Sequence, residues 1–183
     1  DKVAAIRFPE PAPCGKTPLS AQSLSKSYGS LEIFTDVDLA IDRGSRVVVL
    51  GLNGAGKTTL LRMLAGNTAP DTGEVVYGHG AKIGYFAQEH EILDGERTVL
   101  ENMKSAAPDL DDTRVRTILG SFLFSGDDVE KPAGVLSGGE KTRLSLATLV
   151  ASSANILLLD EPTNNLDPAS RKEIMDALKA YKG

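Results

Sequence analysis

The chain has 183 residues, 20 basic and 25 acidic, giving a formal net charge of −5, with no tryptophan and one cysteine. That length suits one domain with room for a subdomain or tail, and the acidic balance argues against a general polyanion-binding surface. Cys14 has no partner for an internal disulfide, so a reducing, cytoplasmic compartment is expected; no apolar run approaches the ~18 residues of a membrane span.

The chain opens on Asp1-Lys2-Val3, without an initiator Met and without a signal-peptide pattern, so a piece of a longer protein is expected. Residues 1–18 carry Pro9, Pro11, Pro13 and Pro18 and read as an extended linker or lead-in. Loose alternation over 20–28, and again over 31–41 with Ile33, Val37, Leu39 and Ile41 apolar, predicts two half-buried strands joined at Gly29-Ser30. Asp42-Arg43-Gly44 is a second turn, leading into the apolar strand Val47-Val48-Val49-Leu50.

The next stretch is Gly51-Leu52-Asn53-Gly54-Ala55-Gly56-Lys57-Thr58-Thr59, followed by apolar residues at helical spacing. Strand, glycine-rich turn and helix together fit G-x-x-x-x-G-K-[ST], the phosphate-binding loop. Its glycines let backbone N–H groups curl around phosphate oxygens, which a Cβ would obstruct. Lys57 would reach the β- and γ-phosphates and the Thr58 hydroxyl would ligate Mg²⁺. A chance match in a chain of this length has a probability of about 1%, before the strand and helix flanks are counted.

The helix is predicted over 57–65, stopping at Gly66 as a left-handed cap. Pro70-Asp71-Thr72-Gly73 is a turn; 74–77 and 82–86 read as strands, with His79 and His90 as surface or rim residues. Short helices are expected over 98–103 and 111–119, and no regular element is assigned to 121–132. Ser137 caps a strong helical run through Val150, and Ile156-Leu157-Leu158-Leu159 is wholly apolar, as a central parallel strand should be. Pro168 opens a last helix with Ile174, Met175, Leu178 and Tyr181 on one face.

Asp160 and Glu161 end the apolar strand, where α/β sheets place ligand-binding groups. Behind a phosphate loop, Asp160 would hold Mg²⁺, often through water, and Glu161 would polarise the attacking water; standing alone, the pair is equally an ordinary strand-end turn. Leu136-Ser137-Gly138-Gly139-Glu140 puts N–H groups and a hydroxyl at a helix start, either an anion site or a plain helix cap.

Taken together, GLNGAGKTT at 51–59, Gln88 in YFAQ, LSGGE at 136–140, LLLDEP at 157–162 and NNLD at 164–167 closely resemble an ATP-binding cassette (ABC) nucleotide-binding domain, over about residues 19–183. The resemblance implies an α/β P-loop NTPase core with an antiparallel β subdomain and a small helical subdomain at about 89–143. By position, Tyr28 resembles the aromatic residue that stacks on adenine, and Gln88 the glutamine that contacts Mg²⁺ and the attacking water. Asp167 resembles the acidic residue that communicates between paired domains. Ser137, Gly138 and Gly139 would serve a partner's nucleotide, because in this family two cassettes sandwich two ATP molecules.

Glu140 and the run from Glu161 through Asn164-Asn165 to Asp167 look like subfamily F, the soluble tandem-cassette proteins that act on ribosomes in translation regulation or ribosome protection from antibiotics. On that reading the chain is the second cassette, residues 1–18 are the end of the inter-cassette linker, and ribosomal RNA or tRNA would be met through other parts of the parent. The alternatives are the energy-coupling subunit of a membrane transporter and a non-catalytic nucleotide sensor. In the family a histidine on the strand after the last helix contacts the γ-phosphate; the sequence stops at Gly183, short of that strand, so weak hydrolysis is expected of this stretch alone.

Overall fold

The computed structural model describes residues 12–44, 54–86, 93–161 and 166–180. These fall into two compact units, Ala12–Tyr85 with Asn155–Asp160, and Phe86–Ala154 with Glu161–Tyr181.

In the first unit the alternating segments form the expected hairpin. Strand β1 (Leu19–Tyr28) runs antiparallel to β2 (Leu31–Ile41), pairing Leu19 with Ile41 and Tyr28 with Leu31 across the Gly29 turn. On its other side β1 pairs antiparallel with β3 (Thr72–Tyr77), giving a sheet of order β2-β1-β3. The buried positions of β1 are Leu19, Ala21 and Leu24, a spacing of two and then three. A flat strand cannot bury both intervals on one face, so the register shifts between Ala21 and Leu24. The irregularity is held by side chains: Asp38 accepts the Ser23 N–H at 2.7 Å, and the Ser25 hydroxyl oxygen accepts the Asp36 N–H at 3.0 Å. Ser23 and Asp36 both take positive φ there.

Helix α1 covers Gly54–Leu64, starting three residues earlier than its poor glycine propensities predict. Its apolar face, with Leu60, Met63 and Leu64 buried, shares one core with Leu19, Leu24 and Phe34 of the sheet. It stops where expected, with Gly66 at φ +83° accepting the left-handed turn. Strands β4 (Ile83–Phe86) and β5 (Ile156–Leu159) pair with each other, and Ile156 and Leu158 of β5 join the same core.

The entry to β5 is fastened by Asn155, whose side chain is almost fully buried. Its amide donates to the carbonyls of Ala12 (3.0 Å) and Gly80 (2.8 Å), and its oxygen accepts the Lys82 N–H at 2.8 Å. Residues 12–18 are therefore bonded into this unit: Gly15 N–H also donates to the His79 carbonyl, and Gly78 N–H to the Pro18 carbonyl. Prolines that break regular structure still leave carbonyls free to accept, which a reading of this stretch as a linker overlooks.

In the second unit, α2 (Val99–Ala106) and α3 (Asp112–Ser121) start one residue after their caps, Thr98 and Asp111. Two short 3-10 turns, Gly126–Glu130 and Ala133–Val135, lead to α4 (Gly138–Ala151). The 121–132 stretch that carries no periodic signal supplies two fully buried rings, Phe122 and Phe124, and Arg143 of α4 lies 5.3 Å from the Phe124 ring. Asn102, buried on α2, donates to the carbonyls of Asp94, Arg97 and Thr98 and accepts the Asp94 N–H. The last helix, α5, covers Pro168–Ala180. Ile174 is buried as expected, but Met175 is 40% exposed, because it sits about 100° around the helix from Ile174. Among the described residues no helix is long and apolar enough to cross a membrane.

Candidate functional site

Packing of α1 and β5 into one core fixes where their ends meet. Thr58, in the second turn of α1, donates its hydroxyl proton to Asp160 Oδ2 at 2.7 Å, closing a separation of 102 residues in the chain. Asp160 is only 7% exposed. A hydroxyl and a carboxylate held side by side form a pair of hard oxygens, the donor chemistry Mg²⁺ prefers. They do not form a complete cage: among the described residues no group of three or more His, Cys, Asp or Glu side chains could hold a metal alone. Such an open pair fits a magnesium ion that keeps phosphate and water in its remaining positions.

The start of α1 is Gly54-Ala55-Gly56-Lys57, with no acidic residue in its first turn. A helix N-terminus aims backbone N–H groups outward and carries partial positive charge, so this end favours an anion. Lys57 and Thr59 are half-buried on the same turns. Gly51, Leu52, Asn53 and Gln88, together with the apolar strand expected over 47–50, lie outside the described residues, as do residues 162–165.

Glu161 is exposed and follows Asp160 with φ +50°. A non-glycine residue with a Cβ and no side-chain amide is disfavoured there, and such strain concentrates at functional sites. Composition and spacing carry no sign of it.

Tyr28, at the tip of the hairpin, is 53% exposed, with Lys26 Nζ 5.2 Å from its ring centroid. Neither Lys26 nor its partner Asp71 stands out in the sequence, because each is an ordinary surface residue type in an ordinary turn.

The 136–140 motif forms a capping box. Ser137 Oγ accepts the Glu140 N–H at 3.2 Å, and Glu140 Oε1 accepts the Ser137 N–H at 3.0 Å. The Ser137 N–H holds the Glu140 carboxyl below the usual range for a glutamate. Ser137 and Gly138 are exposed at this helix end, whereas Gly139 and Glu140 are half-buried. Asp167 is exposed; its pKa is lowered first by the Ser170 side chain and then by the Ser170 N–H, which it accepts at 3.3 Å.

A protein-family model described as "ABC transporter" matches residues 34–164. The chain belongs to that family. It is an ABC nucleotide-binding domain of the F type, 36% identical over its full length to "ABC transporter F family member 5" of Arabidopsis thaliana, of which it covers 27%. It is also 42% identical, over 97% of its length, to "Probable ATP-binding protein YbiT" of Escherichia coli O157:H7, covering 34% of that protein. Over its full length it is 42% identical to "Putative ATP-binding protein YdiF" of Bacillus subtilis, covering 29%. The cassette thus spans about a third or less of these curated relatives.

Among solved structures, the dimeric bacterial ABC transporter cassette MJ0796 superposes with a TM-score of 0.77 at 24% identity, over 87% of this chain and 81% of that one. A post-hydrolysis dimer of the same cassette, bound to ADP and Pi, gives 0.75 at 25% identity over the same shares. At such identities the ABC fold is what carries across: a P-loop NTPase core with an antiparallel β part and helices.

Proposed function

We propose that the cassette binds ATP with Mg²⁺ and, paired with a second cassette, hydrolyses it to ADP and phosphate. The observation that carries this reading is the 2.7 Å bond between Thr58 and Asp160, which brings the last residues of the phosphate loop beside the acidic strand end. Bound magnesium would neutralise charge on the β- and γ-phosphates. The residues around it divide the remaining work. The α1 N-terminus, with Gly51 to Thr59 including Lys57, cradles the phosphates, and Thr58, Asp160 and Gln88 serve the ion and its waters. Tyr28 stacks on adenine. Glu161 accepts the proton of the attacking water, and its strained backbone supports a role beyond ending a strand.

Ser137, Gly138 and Gly139 act on the partner's nucleotide, with Glu140 as the cap that orients them, and Asp167 signals between the paired domains. The exposure of Ser137 and Gly138 at the start of α4, and the dimeric state of the solved relatives, support that assignment.

The F-type relatives support a parent protein with two cassettes, of which this would be the second, acting in the cytoplasm on ribosomes in translation or in protection from antibiotics. The test is Glu161→Gln in the parent protein. ATP binding should persist, turnover should stop, and the variant should co-sediment with ribosomes only when ATP is present; no ATP-dependent association would sink the ribosome reading. The family description and the solved cassettes favour a second reading, the energy-coupling subunit of a transporter, which predicts purification with a membrane-spanning partner.

A further inference from the structure

Lys26 is held in place, unlike a lysine waving in solvent. Its side chain is only 16% exposed, and Nζ lies 3.1 Å from Asp71 Oδ1 and donates to the Ala69 carbonyl at 3.2 Å. From that anchor the ammonium sits over the Tyr28 ring, 5.2 Å from its centroid. Asp71 reaches further along the same strand. Its Oδ2 accepts the Ser27 N–H at 2.8 Å, and its own N–H donates to the Ser25 carbonyl at 2.9 Å. One residue of the 70–73 turn therefore grips three consecutive residues, Ser25, Lys26 and Ser27, that lead into Tyr28.

An ion pair at the surface contributes little to stability, and a fixed lysine gives up much rotamer freedom. The arrangement makes sense if the orientation of the ring is what matters. A cation against one face of an aromatic ring is attracted to it and leaves the opposite face for another planar group. Tyr28 remains half exposed, so that second face has room.

We propose that Lys26 and Asp71 are positioning residues for Tyr28, setting the share of ATP affinity that comes from the nucleobase rather than from the phosphates. This rests on the reading of Tyr28 as the adenine platform.

The experiment measures dissociation constants for ATP and for inorganic tripolyphosphate, both with Mg²⁺, by isothermal titration calorimetry. Lys26→Met should weaken ATP by about three- to ten-fold and leave tripolyphosphate unchanged. Asp71→Asn should shift the ratio in the same direction, and Lys26→Arg, which keeps a cation over the ring, should restore it. In a Tyr28→Ala background, Lys26→Met should add nothing. Equal weakening of both ligands by Lys26→Met would mean that the lysine merely attracts phosphate, and would overturn the proposal. So would a lowered melting temperature with an unchanged ratio of the two constants, the mark of a purely structural tether. A ratio unchanged by Tyr28→Ala identifies a different failure, that of the adenine platform itself, and the proposal falls with it. Should Lys26→Met not fold, Asp71→Asn and Lys26→Arg supply the same comparison.

Discussion

At the scale of single residues, the contact between Thr58 and Asp160 shows how two motifs far apart in the chain come together. Both residues are legible in the sequence, each within its own motif, but their adjacency follows only once α1 and β5 share a core. Thr58→Val keeps the side-chain volume and removes the hydroxyl, leaving a buried carboxylate short of a donor, which should cost about 1–3 kcal/mol of stability. The more specific consequence concerns the metal. ATP affinity with Mg²⁺ should fall toward the value measured in EDTA, and titrations under the two conditions would show whether the gap closes. Glu140 gives a pH-dependent test. Its pKa is lowered by the Ser137 N–H, so its contribution is full above the unfolded glutamate value and is lost as pH falls through the lower folded value. Glu140→Gln should therefore cost the most stability near neutral pH, less than about 1 kcal/mol for a half-exposed cap, and the gap to wild type should narrow as the pH falls below the ordinary glutamate value. Urea unfolding at several pH values measures it. The cap itself is readable from the Ser-x-x-Glu spacing, but the strain at Glu161 is not, since positive φ at a glutamate is imposed by its surroundings.

At the scale of elements, alternation located both strands of the hairpin and the turn between them, yet it could not place the register shift in β1. The trace it left is the interval of three between Ala21 and Leu24, which makes sense only when β2 and β3 are both paired to that strand. The start of α1 was hidden for the opposite reason: glycines that disfavour a helix locally are carried by packing further along it. Gly66 and Gly73 allow these effects to be separated. Their φ values are nearly the same, +83° and +85°, so a β-carbon meets similar backbone strain at either position. At Gly66 its nearest neighbour is the Tyr77 hydroxyl at 3.3 Å, the movable end of a side chain. At Gly73 it would run into the backbone carbonyl oxygens of Gln22 and Ser23, within the pairing of β1 and β3. Gly66→Ala should cost about 1 kcal/mol and Gly73→Ala at least about 2 kcal/mol more. Denaturant unfolding reports both losses, and faster amide exchange confined to β1 and β3 in the second variant would locate the clash.

At the scale of the whole molecule, the proposed function assigns the cassette two functional elements that serve different nucleotides. On that proposal the α1 start, with Thr58 and Asp160, would hold the cassette's own nucleotide, and the exposed start of α4 would meet a partner's. If two copies can stand in for a pair of cassettes, defects in the two ends should complement. Lys57→Ala disables only the phosphate loop, while Ser137→Arg places bulk and charge at the start of α4. Each variant alone has one defective half in every composite site, so with ATP, in a Glu161→Gln background that blocks turnover, neither should dimerise. Mixed together, they can form a heterodimer in which the intact loop of one faces the intact α4 start of the other. In random pairing about half of the dimers are of this kind, each with one sound site. Sedimentation velocity should then show a nucleotide-dependent dimer in the mixture that is absent from either variant alone. A dimer formed by Ser137→Arg alone would mean that α4 does not meet the partner's nucleotide. Failure of the mixture to pair, while the Glu161→Gln parent does, would mean that both sites must close together.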